Sequence, residues 1–162
     1  MLDTVPLDRF PCISMIAYTG RKMKVGGISL PIVVDLRGLE IPKQNLALLL
    51  NHELSQIVGL TMQVEIVHNA LTAVGIVDDG LPSGHDVWRS GLLGYPWRAS
   101  IGVSLSQPEY VDHGQHAEVN NRPIEGPCYV IRQATLQEIS LVAEGADNYT
   151  SVYFHPPKNA SA

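Results

Sequence analysis

Ser100, His52 and Glu138 are the three side chains whose types together would make an acyl-transfer site: a nucleophile, a base and an acid. Ser100 follows Tyr95-Pro96-Trp97-Arg98-Ala99 near the start of a strand-like run. A serine acts as a nucleophile when it is accessible, a base takes its proton and backbone N–H groups bind the oxyanion. Gly102 falls on the same strand face and leaves the space beside the Ser100 hydroxyl open. His52 directly follows the apolar residues 46–50 and precedes Leu54, Ile57 and Val58, a setting that predicts partial burial. Glu138 lies in the otherwise largely apolar stretch 135–142 and shares a face with Ser140 and Val142. A carboxylate there faces water or has a partner, because unpaired burial is costly. A histidine N–H is such a partner, and the set is then complete: the serine attacks, the histidine takes its proton and the acid fixes the histidine tautomer. Each residue also has a plain reading. Ser100 resembles the solvent-facing strand serines Ser104 and Ser106, His52 a core histidine bonded to a backbone carbonyl, and Glu138 a solvated carboxylate. Spacing alone does not bring the three together.

Other chemistries lack their residues. There is no Gly-x-Gly-x-x-Gly after a strand and no phosphate loop ending in Gly-Lys-Ser/Thr. His52-Glu53 opens like a zinc-protease helix, but position 56 is Gln. Nor is there the Gly-x-Ser-x-Gly elbow of the α/β-hydrolases. His113-Gly114-Gln115-His116 offers two metal ligands without a clear third, in the polar stretch 112–122 that reads as an exposed loop. His68 reads as a turn residue, His155 as part of the tail, and His85-Asp86 as a helix start. Cys12 and Cys128 are too few for a disulfide framework and read as small buried thiols; a bridge between them is the minor alternative.

These residues need a scaffold. The chain has 162 residues, room for one domain with a real core. With 11 basic and 16 acidic side chains its net charge is −5, which argues against unspecific nucleic-acid binding and against a polybasic membrane-surface protein. No apolar run approaches the roughly 18–20 residues of a membrane span, and the N-terminus lacks the pattern of a signal peptide. Strand signals dominate. Residues 13–18 are a short apolar run bounded by Pro11 and Gly20, and 28–36 is a second, rich in β-branched side chains. In 60–67, Leu60, Met62, Val64 and Ile66 alternate with polar partners, and a His68-Asn69 turn leads into a returning strand at 71–77. Residues 99–105 alternate again, and 128–132 and 138–142 read as further strands. A short helix is predicted over 84–93 with Gly94 as its stop, while 41–50 is ambiguous. Residues 1–11 and 155–162 read as loose ends, leaving an ordered core at about 12–154. The sum is a small, mainly antiparallel β domain, with a barrel as one option.

Three motifs then form a pattern. Leu50-Asn51-His52-Glu53, Trp97-Arg98-Ala99-Ser100-Ile101-Gly102-Val103 and Leu136-Gln137-Glu138-Ile139-Ser140-Leu141-Val142 occur in this order, with Gly145-Ala146 after the last. Together they resemble the prohead proteases of tailed bacteriophages, the serine peptidases of capsid maturation. Ala17-Tyr18-Thr19-Gly20 and Ile41-Pro42-Lys43 look like a version encoded in bacterial genomes. The resemblance runs from about residue 13 to residue 150. It implies a fold similar to herpesvirus assemblin: a closed or nearly closed, mostly antiparallel β-barrel with flanking helices. It implies Ser100 as nucleophile, His52 as base and Glu138 as third member, with His113 or His116 as alternatives because related viral proteases use a second histidine there. It further implies capsid or scaffold protein as substrate, self-association, and work within an assembling prohead in the host cytoplasm. No metal or organic cofactor is called for. Two rival readings follow from the same residues. A catalytically silent β-barrel used in assembly predicts Ser100 and His52 out of reach of each other. A metal-binding module would use His113 and His116.

Overall fold

The structure is a computed structural model and describes residues 7–158. Those parts of the expected loose ends that fall at 1–6 and 159–162 lie outside the described residues. In chain order the strands are β1 (Cys12–Tyr18), β2 (Ile32–Val34), β3 (Leu39–Glu40), β4 (Ala47–Leu50), β5 (Glu53–Val67) and β6 (Ala70–Val77). After helix α1 (Pro82–Leu92) come β7 (Arg98–Leu105), β8 (Glu109–Val111), β9 (His116–Val119), β10 (Arg122–Glu125), β11 (Cys128–Ile131), β12 (Ala134–Val142) and β13 (Ser151–His155). Among the described residues α1 is the one α-helix, and no helix is long and apolar enough to cross a membrane.

The main sheet has eight strands. Its path runs β13-β1-β6-β5-β4-β12-β3, and β7 pairs with the other edge of β12. β12 is parallel to β4 and β3 but antiparallel to β7. A smaller sheet, β2-β11-β8, is also mixed, and β9-β10 is a separate hairpin. This corrects the expected fold. The chain is β-rich, but among the described residues its sheets are mixed and form no closed barrel, and one helix stands where flanking helices were expected. No ladder joins β7 to β13 among the described residues. Just before β13, Thr150 ties the chain to the start of β7: Arg98 donates to the Thr150 carbonyl at 2.7 Å, and Thr150 Oγ1 accepts from the Ala99 N–H at 3.3 Å.

Local sequence explains the elements and their departures from expectation. Asn or His with positive φ closes three tight hairpins, at Asn51-His52, His68-Asn69 and Asn120-Asn121. Pro31 removes a ladder donor, so only Ile32–Val34 of the expected run 28–36 pairs as a strand. In β5 a bulge between Thr61 and Gln63 turns the alternation over. Thr61 and Val64 point inward, while Leu60, Met62 and Ile66 are about 40% exposed. The "loop" at 112–122 is largely β9 and the Asn120-Asn121 turn. His155 is not tail but the last residue of β13; it pairs with Cys12 and bonds Ser14 Oγ at 2.7 Å. Cys12 and Cys128 are buried thiols not joined in a disulfide, each pushed up in pKa chiefly by burial.

The larger core packs Ile13, Leu48, Leu71, Leu136, Ile139 and Leu141 between the main sheet and its flanking segments. A smaller one groups Val33, Val111, Val119, Ile124, Cys128 and Val130. Asn120 joins the β9-β10 hairpin to the rest. Its buried amide accepts from the Leu36 N–H at 2.8 Å and donates to the Val34 and Gly20 carbonyls at 2.9 and 3.0 Å. Asn120→Ala leaves three buried backbone groups without these partners and lowers the unfolding free energy by about 2–4 kcal/mol. A urea titration with unchanged slope and a lower midpoint is the expected result.

Candidate active site

β12 organises the site because it lies between β4 and β7. Ser140 is registered against Leu49 on one side and Ser100 on the other, and Glu138 against Ala47 and Gly102. Directly opposed residues in an antiparallel pair share a face, so Ser100, Gly102, Glu138 and Ser140 all project from one patch of sheet. His52 reaches that patch from the turn at the end of β4. Asn51 and His52 both adopt the left-handed conformation, at φ 54° and 59°. Their N–H groups are held by the Leu141 carbonyl at 3.1 Å and by Ser140 Oγ at 3.0 Å.

The three sequence candidates meet. His52 Nε2 is 2.9 Å from Ser100 Oγ, and His52 Nδ1 is 2.5 Å from Glu138 Oε1. An ionised Glu138 only accepts, so Nδ1 carries the proton and the Nε2 lone pair faces the Ser100 hydroxyl. The other Glu138 oxygen, Oε2, accepts from Ser140 at 2.7 Å. The hydrogen bond to Glu138 raises the His52 pKa above its ordinary value; partial desolvation opposes this and the carboxylate charge adds to it.

Two details depart from the sequence reading. His52 is not a core histidine: its side chain is 42% exposed, while Glu138 is the shielded partner at 13%. Gly102 does not leave open space beside Ser100. A Cβ on it would stand 2.0 Å from Glu138 Oε1, so the missing side chain is the room the carboxylate occupies. Ser140, recognised only as sharing the face of Glu138, is the residue of this hydrogen-bonded set that sequence reasoning missed. The signal was its place two residues on in a strand, where its hydroxyl must lie beside the carboxylate.

A cleft of about 450 Å³ opens beside Ser100 and His52, walled by Val25, Ile28, Val103 and Val142 with Lys24 and Glu144 among its charged residues. A second, of about 490 Å³, lies by Glu138 and is lined by Leu49, Leu54 and Lys43. A larger one of about 620 Å³, near Arg37, Glu40 and Ser106, includes none of the three candidates in its walls. His113 and His116 do not join the site: the His113 N–H donates to Asp112, and His116 pairs across its hairpin with Glu125. Among the described residues no group of three or more His, Cys, Asp or Glu side chains is placed to hold a metal ion. In comparisons with known proteins, no family model and no curated sequence matches this chain.

Proposed function

We propose that this protein is a serine endopeptidase that hydrolyses peptide bonds through Ser100, His52 and Glu138. The observation that carries the reading is the continuous chain from Ser100 Oγ through both ring nitrogens of His52 to Glu138. Ser100 Oγ attacks the scissile carbonyl carbon while His52 Nε2 takes the hydroxyl proton. The tetrahedral intermediate collapses as His52 returns that proton to the leaving amine, giving an acyl-enzyme. Water then attacks with His52 again as base, and the carboxylic acid leaves. Glu138 holds the tautomer and stabilises the imidazolium in each half-reaction. The silent-module reading required Ser100 and His52 apart, which the 2.9 Å separation does not favour.

The resemblance of the three motifs to phage prohead proteases supports a finer proposal: the substrate is a scaffold or capsid protein, cut inside an assembling prohead in the host cytoplasm, with further copies of the chain as partners. A fluorophosphonate probe tests the chemistry without knowledge of the cleavage sequence. Mass spectrometry should find its adduct on Ser100, and none in His52→Ala. Incubation with purified scaffold and capsid proteins of tailed phages tests the finer proposal, with discrete fragments expected from the unaltered chain and none from Ser100→Ala.

The pH dependence follows from His52. The base must be neutral, so kcat/KM rises as His52 loses its proton. Because Glu138 raises that pKa, the inflection lies above the roughly 6.5 of an unperturbed histidine. Stability moves oppositely. The folded state favours protonated His52, so this contribution is fully present below the unfolded pKa and is lost as pH rises through the folded one. Activity is therefore gained over the window in which this contribution is lost. A pH–rate profile set beside thermal midpoints checks both signs.

A further inference from the structure

We infer that Ser140 is a positioning residue of this site, tying the backbone of His52 to the carboxylate of Glu138 and so setting how acid and base meet. The inference rests on the acyl-transfer reading of Ser100, His52 and Glu138. Ser140 is fully buried in β12, two residues before the strand's end. A hydroxyl has one hydrogen to give. The His52 N–H can only donate, so Ser140 Oγ accepts there, at 3.0 Å, and its single hydrogen goes to Glu138 Oε2 at 2.7 Å. With the Nδ1–Oε1 contact this makes a closed ring: His52 backbone, Ser140, Glu138, His52 imidazole.

The ring does two things that neither bond does alone. It engages both oxygens of Glu138, which removes rotation of the carboxylate about its last bond and fixes the plane offered to Nδ1–H. It also gives a partner to the N–H of His52, whose backbone sits at φ 59° and which therefore needs its surroundings to hold it there. Ser140 is not among the residues lining the cleft beside Ser100. Its effect therefore falls on the chemical step through the geometry of Glu138 and His52.

The test uses the whole chain and the fluorophosphonate probe, read as a second-order labelling rate against pH. Ser140→Ala should label about 10–100-fold more slowly, the scale set by a misplacement of around 1 Å. Its inflection should fall toward the ordinary histidine value as the freed carboxylate swings toward water. Ser140→Thr keeps the hydroxyl and should restore both. Ser140→Cys fills the space with a poor donor and should behave like Ala, which covers the case in which Ala or Thr fails to fold. The other charged groups around His52 are the chain neighbour Glu53 and, in the shared cleft, Lys24 and Glu144. They are the same in every variant, so a moved inflection reports the ring. Labelling of Ser140→Ala or Ser140→Cys at the unaltered rate with an unmoved inflection overturns the inference. If the unaltered chain does not label, the acyl-transfer reading fails instead. The NMR titration of the His52 ring then decides Ser140 separately: a shift in Ser140→Ala upholds its positioning role, and an unchanged titration removes it.

Discussion

Ser100→Ala lowers kcat/KM on the order of 10⁴–10⁶-fold and leaves the fold intact. In the proposed mechanism Ser100 Oγ is the one atom of the protein that bonds covalently to substrate, and no neighbouring hydroxyl is placed to replace it. Ser104 lies four residues further along β7, opposite Thr135 rather than Ser140. Water attack assisted by His52 alone sets the residual rate. The fold is expected to tolerate the change because Ser100 is only partly buried and gives up one hydrogen bond, to a half-exposed ring. A thermal midpoint within about 3 °C of the unaltered chain, together with lost turnover on any peptide it cuts, is the expected pair of results. Turnover that survives the substitution would remove Ser100 as nucleophile.

Gly102→Ala is the second large effect, and the less obvious one. The new methyl would stand 2.0 Å from Glu138 Oε1 and 2.7 Å from its Cδ. The carboxylate is the flexible party, so it moves and gives up His52. Losing the orienting acid costs roughly 10²–10⁴-fold in kcat. A double variant separates this from general damage. Glu138→Ala clears the room for the new methyl, so Gly102→Ala in that background should cost almost nothing further. If the two losses instead multiply, Gly102 acts by another route.

Much of the site was legible because it is built from strand arithmetic. Period-2 alternation placed Gly102 beside Ser100 and Ser140 beside Glu138. The motif order then supplied His52, which no local pattern could have joined to residues 48 and 86 positions away. Its exposure was misread because apolar residues flank it on both sides. Yet Asn51-His52 is the same pair of residue types, reversed, as the His68-Asn69 turn that was read correctly, and both take positive φ. Turn chemistry was the better guide there than neighbouring hydrophobicity. The short strands β3, β8, β9 and β10 and the bulge at Thr61/Gln63 were not readable, since two to four residues carry no usable period and a bulge leaves none. The barrel expectation failed for a related reason: pairing at sheet edges depends on register between distant strands, which one sequence does not print.

The position of β12 has a consequence in time. The chain emerges during synthesis from its N-terminus, so His52 and Ser100 exist before Glu138 does. Their strands, β4 and β7, are not neighbours in the sheet; each pairs with β12, which is made later and inserts between them. Such non-local closure is slow compared with hairpin formation. A nascent or truncated chain ending before Glu138 thus holds a base and a nucleophile with nothing to register them. On the proposed mechanism, catalytic competence arrives only with the completed sheet.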